Sequence, residues 1–175
     1  FFNTLNNIYA LAIKKSDDTA PMVLQLSAMM RYILYQAGDK KVSLKQEVDF
    51  LSNYVELEKI RHHRNVSIVF DVQGEINAVN IEPLLLLPFI ENAFKHGARE
   101  SLTQAEVFIV ILVQEQELNL QVKNTKPGNK TEVEDKGIGL VNVKKRLELL
   151  YAGKHQLDIT ETEQQYEVNL NMMLE

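Results

Sequence analysis

Three polar side chains with binding chemistry lie close together in the stretch 86–97. Asn92, Lys95 and His96 stand at positions i, i+3 and i+4, so they share one side of a helix. The amide oxygen of Asn92 can ligate Mg²⁺, which prefers oxygen ligands, and the Lys95 ammonium can meet a phosphate as a point charge. A simpler interpretation is a solvated helix end, stopped at Gly97, where the helix dipole favours cations. These residues alone leave both interpretations open.

A second stretch, Gly137-Ile138-Gly139, opens a segment with apolar residues at helical spacing. Glycine lets backbone approach a ligand closely, and the N–H groups of a helix start favour an anion. A glycine-bearing turn before an amphipathic helix gives the same pattern, so this stretch is weak evidence by itself. Paired with the Asn92 helix upstream and with strand-like segments between them, it predicts a phosphate-binding site.

Three helices are predicted in the first third of the chain. The first two cover residues 1–14 and 20–37, and their apolar positions predict a helical hairpin that dimerises. Ser43 followed by Gln46 predicts a capping box at the start of the third helix, which ends near Arg61. Basic residues at that end suit the helix dipole better than a metal site at His62 and its neighbouring histidine.

From residue 65 onward, the apolar period changes from helical to alternating. Residues 74–80 read as a loop with room for a short extended piece, and Pro83 is predicted to open a long helix that carries Asn92. A polar stretch at 124–136 reads as a further loop. The strands are predicted at 66–72, 106–113, 118–123, 156–161 and 166–172. This order predicts an α+β fold with one mixed sheet that helices cover on one face.

Composition limits the function classes. The 175 residues have 45% hydrophobic content, no cysteine and a net charge of −5. That charge argues against a general nucleic-acid-binding surface, and the absence of cysteine fits a cytoplasmic protein. The longest apolar run, 83–90, is too short to span a bilayer. We therefore expect no nucleic-acid partner and no embedded segment in this stretch of sequence.

Together, the Asn92 stretch and the glycine stretch resemble the N box and glycine box of the ATP-binding domain shared by histidine kinases, gyrase and MutL, the GHKL superfamily. Phe1-Phe2-Asn3-Thr4-Leu5-Asn6 resembles the region just after the phosphoacceptor histidine in sensor histidine kinases of the LytS/YehU type. Further agreement lies in 26–32, 42–47 and 54–61. The resemblance implies a Bergerat-type α/β sandwich at 65–175, preceded at 1–64 by a helical dimerisation and phosphotransfer region.

The resemblance also implies roles for individual residues, with ATP and Mg²⁺ as cofactors. Asn92 would ligate the Mg²⁺ that bridges the nucleotide phosphates, and Lys95 would contact a phosphate, so these two are the catalytic candidates. His96 follows Lys95 as a further cofactor contact. The remaining candidates for phosphate or ribose contact are Gly137, Gly139, Asn142, Lys145 and Arg146.

The adenine pocket departs from the superfamily pattern, in which an Asp-x-Gly-x-Gly motif follows a strand. Here Asn124 stands at the aspartate position and the first glycine is missing. An amide oxygen can still accept a hydrogen bond from the adenine amino group without burying a charge. Because charged acceptors are stronger, the substitution is expected to weaken affinity by ~1 kcal/mol.

The implied reaction moves the γ-phosphoryl group of ATP to a histidine, placed by the resemblance two residues before Phe1, and then to a response regulator. The resemblance implies two partners: a second copy of the chain, and a response regulator for which the family suggests a LytTR-type domain. The full-length protein is expected to be membrane-anchored upstream, with this region cytoplasmic. Alternatives are a degenerate nucleotide-binding or interaction module, an anti-sigma serine kinase, and an ATPase of the gyrase or MutL kind. The ATPase is disfavoured because Pro88 stands where those proteins place a catalytic glutamate.

Overall fold

The computed structural model describes residues 2–62, 66–95, 105–126 and 138–174. Three helices come first: α1 (Phe2–Ile13), α2 (Thr19–Tyr35) and α3 (Leu44–Arg61). The predicted capping box is confirmed, because the Ser43 side chain accepts from the Gln46 N–H while the Gln46 side chain accepts from the Ser43 N–H. This reciprocal pair fixes where α3 begins.

The remaining elements build the sheet and two further helices. In chain order they are β1 (Val42–Ser43), β2 (Val66–Gly74), β3 (Asn80–Ile81), α4 (Leu87–Ala93), β4 (Ala105–Gln114), β5 (Glu117–Thr125), α5 (Ile138–Leu150), β6 (His155–Glu161) and β7 (Gln165–Met173). The main sheet has the strand order β2-β4-β5-β7-β6. Strands β2 and β4 are parallel and the other pairs antiparallel, so the predicted mixed sheet is confirmed.

One face of this sheet is buried and the other is more exposed. Along β5, Leu118, Leu120 and Val122 are fully buried, and their cross-strand neighbours on β4 and β7 are buried as well. On the opposite face, Phe108 is exposed and Asn119 donates a hydrogen bond to Asn171. The alternation predicted from sequence therefore separates a core face from a polar face, as expected for a sheet covered on one side.

One expectation about the segment before α4 is wrong. Pro83 does not open the helix that carries Asn92: residues 83–86 form a turn, and α4 begins at Leu87. The helix cannot start at Pro83 because Leu84 adopts φ 58°, a left-handed conformation that no α-helix contains. The segment expected as a loop at 74–80 holds the last residue of β2 and the first residue of β3, which pairs with β1.

The last position of β2, Gly74, can hold only a residue without a side chain. It has φ 95°, and a Cβ there would lie 1.8 Å from the Val113 carbonyl oxygen of β4. A side chain would therefore collide with the neighbouring strand.

The hydrophobic core is continuous across residue 64. Met22 and Met29 of α2, Leu51 and Val55 of α3, and Ile109 of β4 belong to one cluster of buried residues. The domain division at 64/65 accordingly remains a prediction. Among the described residues, no helix is long and apolar enough to cross a membrane.

The helical hairpin leaves much apolar surface uncovered. Side chains on α1 and α2 that are exposed include Leu5, Tyr9, Ile13, Val23, Leu24, Met30 and Leu34. The buried positions of α2 are instead Met22, Leu26, Met29 and Tyr32. The broad apolar stripe predicted for α2 is thus only partly used within one chain.

Candidate functional site

The turn at 83–86 sets the start of α4, and two side chains distant in sequence hold it. The Glu47 carboxylate of α3 accepts hydrogen bonds from the Leu84 N–H at 2.9 Å and the Leu86 N–H at 3.4 Å. The Arg146 guanidinium of α5 donates to the Pro83 carbonyl at 3.0 Å and to the Leu84 carbonyl at 3.5 Å. Two donors and two acceptors of this turn are therefore satisfied by side chains from two different helices.

Asn92 and Lys95 follow on α4 and just beyond it. Both side chains are half-buried, whereas Ile90, Ala93 and Phe94 between and beside them are buried in the core. The packing of these apolar residues fixes the rotation of the helix and so places Asn92 at the edge of the core. His96 lies outside the described residues.

Asn124 presents an unusual polar atom at the end of β5. The residue is 1% exposed, and its Nδ2 donates to the Thr125 carbonyl at 2.9 Å. Because a carbonyl can only accept, Nδ2 must face it, and this orients Oδ1 the other way. Among the described residues, Oδ1 has no hydrogen-bond partner. A buried acceptor left open costs free energy, which a bound donor would recover.

Tyr166 is a neighbour of Asn124 that the sequence reasoning missed. It stands directly opposite Asn124 across the β5–β7 ladder, so the two side chains lie on the same face of the sheet. Burial, and secondarily the nearby Glu161 carboxylate, raises the pKa of the Tyr166 hydroxyl. A neutral, half-buried ring beside an open acceptor suits contact with a planar heterocycle.

The described part of the glycine stretch approaches α4 closely. A Cβ built on Gly139 would lie 3.8 Å from the Pro88 Cβ, so the first turn of α5 lies against the first turn of α4. Asn142 and Lys145 are exposed on α5. Gly137 lies outside the described residues.

Arg146 has contacts that the sequence did not suggest. It was a candidate for ribose or phosphate contact, but its guanidinium is half-buried and donates to the carbonyls of Pro83 and Leu84. These bonds attach α5 to the turn before α4. Its contact with a ligand stays a prediction, while its role in holding this turn is observed.

The structure therefore brings three of the predicted elements together. Helix α4 contacts both β5 and α5, so the elements that carry Asn92, Asn124 and Gly139 converge around one short helix. Among the described residues, no group of three or more His, Cys, Asp or Glu side chains could hold a metal ion. His62 instead lies 3.2 Å from the Glu58 carboxylate. Mg²⁺ at this site would depend on Asn92 together with phosphate and water oxygens.

Sequence comparison connects this architecture to known proteins. Residues 1–66 match the histidine kinase family. The chain is 31% identical over 163 residues to the sensor protein LytS of Streptococcus agalactiae, covering 86% of this chain and 28% of that protein. It is 29% identical over 160 residues to the sensor histidine kinase YpdA of Escherichia coli, again covering 86% and 28%. The chain thus spans less than a third of the length of these curated relatives.

Solved structures show the same fold at low sequence identity. The histidine kinase domain of the blue-light-activated histidine kinase EL346 from Erythrobacter litoralis has a TM-score of 0.56 at 15% identity, covering 90% of this chain and 75% of that one. The histidine kinase AdeS of Acinetobacter baumannii has a TM-score of 0.53 at 15% identity, covering 95% and 83%.

The fold is that of a histidine kinase catalytic region, a helical segment followed by an α+β domain. In sequence, the chain is similar over most of its length to the sensor histidine kinases LytS and YpdA. The resemblance seen in the sequence and the predicted fold class are both confirmed.

Proposed function

We propose that this chain is the ATP-binding catalytic region of a two-component sensor histidine kinase. The observation that carries the proposal is the buried Oδ1 of Asn124, which has no hydrogen-bond partner within the described part of the chain and lies at the end of β5, a strand in contact with the helix that bears Asn92. A nucleotide base with an exocyclic amino group supplies the missing donor. The relatives and the fold support the same conclusion.

The residues present fit Mg²⁺·ATP. Asn124 would accept from the adenine amino group, and the Tyr166 ring would pack beside the base. Asn92 would offer its amide oxygen to Mg²⁺, and Lys95 would face a phosphate. The start of α5 at Gly139, with the candidate Gly137 before it, would present backbone N–H groups to the phosphates. His96, Asn142 and Lys145 are further candidate contacts.

Bound Mg²⁺·ATP supplies the γ-phosphoryl group and the charge neutralisation that its transfer requires. In that transfer, the bond from the γ-phosphorus to the β,γ-bridging oxygen breaks, a bond to a histidine nitrogen forms, and ADP leaves. An aspartate of a response regulator would then accept the group from the histidine. The chain's contribution is positioning: Asn92 and Lys95 orient the phosphates, and Asn124 anchors the base.

The partners follow from the same proposal. The exposed apolar residues of α1 and α2 suit a second copy of the chain, giving a homodimer. The second partner is a response regulator of the LytTR type. The full-length protein would be anchored in a membrane upstream of this cytoplasmic region.

One observation favours a second candidate function. Asn124 replaces the superfamily aspartate, so the base would lack a charged acceptor. A degenerate module that binds nucleotide weakly, or binds only proteins, would keep the same fold.

Titration with a fluorescent ATP analogue, with and without Mg²⁺, separates the two functions. We expect binding that depends on Mg²⁺ and that falls about tenfold in Asn92→Ala, since a metal ligand is lost. Asn53→Ala is the matched control, because this asparagine lies on α3, outside the candidate site, and donates to the Asp49 carbonyl. No binding at millimolar nucleotide would contradict the kinase proposal and leave the degenerate module.

A further inference from the structure

The Glu47 side chain of α3 joins three parts of the molecule. It is fully buried and accepts from the Tyr32 hydroxyl at 2.5 Å, the Leu84 N–H at 2.9 Å and the Leu86 N–H at 3.4 Å. Tyr32 lies on α2, and the two leucines lie in the turn before α4. One carboxylate therefore contacts the helical hairpin and the start of the candidate nucleotide site.

Burying the Glu47 carboxylate costs free energy, which indicates that its role is to position the groups it contacts. Desolvating an ionised group costs several kcal/mol, and an apolar side chain of similar size would fill the same space at less cost. The Tyr32 hydroxyl and the two leucine N–H groups are neutral donors that satisfy its oxygens, and the charge of Arg146 only partly offsets the charge of the carboxylate. Glu47 therefore fixes the positions of the groups that it contacts and adds little net stability to the fold.

The backbone that Glu47 contacts is strained. Leu84 has φ 58°, a conformation that costs roughly 1–2 kcal/mol for a residue with a side chain. Such a conformation persists only where its surroundings impose it. Leu86, the second amide bound by Glu47, is the N-cap residue of α4. Since α4 begins at Leu87, directly after this turn, the turn sets where the helix that carries Asn92 begins.

The hydroxyl of Tyr32 makes this contact depend on α2. The Tyr32 ring stacks on Phe50 of α3 with centroids 4.7 Å apart, and the residue is 6% exposed. Displacing α2 relative to α3 would withdraw the hydroxyl from Glu47. The carboxylate would then lose its shortest hydrogen bond, which is made to the same oxygen that accepts from the Leu84 N–H, so its position against the turn would no longer be fixed.

We propose that Glu47 is a positioning residue that fixes the 83–86 turn and thereby α4, and that Tyr32 couples this turn to the position of α2. The coupling links the helical hairpin to the nucleotide site within one chain. The effect of this coupling on nucleotide binding rests on the proposed function above, whereas the claim that Glu47 fixes the 83–86 turn does not.

The first test measures amide hydrogen exchange in the chain without nucleotide. In Glu47→Gln, exchange at Leu84 and Leu86 is expected to accelerate at least about tenfold, because one amide oxygen cannot replace two carboxylate oxygens for three donors. Glu56→Gln is the matched control: Glu56 lies on the same helix, its side chain is 45% exposed, and it pairs with Lys59. Unchanged exchange at both leucines in Glu47→Gln would overturn the hold on the turn.

The second test compares Tyr32→Phe with Tyr35→Phe, which removes a hydroxyl from the same helix at a residue that is 77% exposed. Tyr32→Phe retains the Glu47 carboxylate and the aromatic ring, so this variant still tests the coupling if Glu47→Gln fails to fold. We expect Tyr32→Phe to accelerate exchange at Leu84 and to weaken Mg²⁺·ATP binding about threefold, with Tyr35→Phe unchanged in both. The double variant with Glu47→Gln should show less than the sum of the two effects.

The two measurements fail in distinguishable ways. If the unchanged chain does not bind Mg²⁺·ATP, the proposed function is contradicted, and the exchange data still decide whether Glu47 holds the turn. If the chain binds nucleotide, and exchange accelerates in Glu47→Gln with no loss of affinity, the coupling to the site is overturned. Accelerated exchange together with weaker binding supports the whole proposal.

Discussion

Glu47 and Arg146 hold opposite polar groups of the same turn. Glu47 accepts from the Leu84 N–H, and Arg146 donates to the Leu84 carbonyl, so both backbone groups of this left-handed residue bind side chains from other helices. Because Arg146 lies on the helix that follows the glycine stretch, the turn also connects α5 to α4. Both helices carry residues of the candidate site, so the conformation of this turn affects how those residues are placed relative to one another.

The Arg146 side chain is expected to stabilise the fold because two of its guanidinium nitrogens donate hydrogen bonds to two backbone carbonyls. Arg146→Lys keeps the charge but replaces two separate donor nitrogens with a single one, so we expect the free energy of unfolding to fall by about 1 kcal/mol. Urea denaturation measures this change. Lys144→Ala, an exposed position on the same helix, is the control and should stay within about 0.5 kcal/mol of the unchanged chain. Equal stability of Arg146→Lys and the unchanged chain would contradict the role of these two hydrogen bonds.

Burial of Glu47 predicts a specific pH dependence of stability. Burial raises the pKa of the Glu47 carboxyl above 4.5, and the bonds from Tyr32, Leu84 and Leu86 with the charge of Arg146 oppose this without reversing it. The folded state therefore retains a proton that the unfolded state has already lost. The contribution of Glu47 to stability is full below the unfolded pKa near 4.5 and falls as the pH rises toward the folded pKa.

Urea denaturation across this pH range checks the sign. The stability of the unchanged chain relative to Glu47→Gln should decrease as the pH rises above about 4.5, since glutamine does not titrate. A relative stability that increases with pH would mean that the folded-state pKa is lowered, contrary to the account.

Asn124 should not tolerate the superfamily aspartate in the absence of nucleotide. Nδ2 donates to the Thr125 carbonyl, and an ionised carboxylate would place an acceptor against that oxygen in a buried position. Asn124→Asp is expected to lower the free energy of unfolding by about 2 kcal/mol at neutral pH. Asn119→Asp, on the same strand but the partly exposed face, should cost less. Similar losses at both positions, measured by thermal unfolding, would contradict the orientation assigned to Asn124.

The exposed apolar face of α2 predicts self-association. Leu34 is 70% exposed, so Leu34→Lys should weaken the dimer without lowering monomer stability. Leu26 is 6% exposed on the same helix, and Leu26→Ala should instead destabilise the fold by about 3 kcal/mol. Sedimentation equilibrium and urea denaturation separate the two effects. A chain that is monomeric before substitution would contradict the predicted homodimer.

The regular elements could be predicted because their signals are local. Helix α3 begins at a capping box four residues long, and β4 and β5 alternate apolar and polar residues within each strand. The left-handed turn at Leu84 was missed because Pro83 and the following leucines satisfy a helical pattern. What prevents the helix is the Glu47 carboxylate, 37 residues away along the chain.

Partners set by tertiary packing were missed for the same reason. The position of Arg146 on α5 was predicted, but its carbonyl partners lie more than 60 residues away. The strand that carries Tyr166 was also predicted, yet its place opposite Asn124 depends on the register between β5 and β7. The two-residue strands β1 and β3 are too short to produce any pattern.

The most direct test measures whether the Oδ1 of Asn124 accepts a hydrogen bond from the amino group of the adenine base. ATP and inosine triphosphate differ at the purine 6-position, where an amino donor is replaced by a carbonyl acceptor. We expect Mg²⁺·ATP to bind about tenfold more tightly than Mg²⁺·inosine triphosphate, and Asn124→Ala to remove this preference. Asn119→Ala should keep it. Equal affinity of the unchanged chain for both nucleotides, in competition titration, would contradict the assignment of Asn124 as the adenine acceptor.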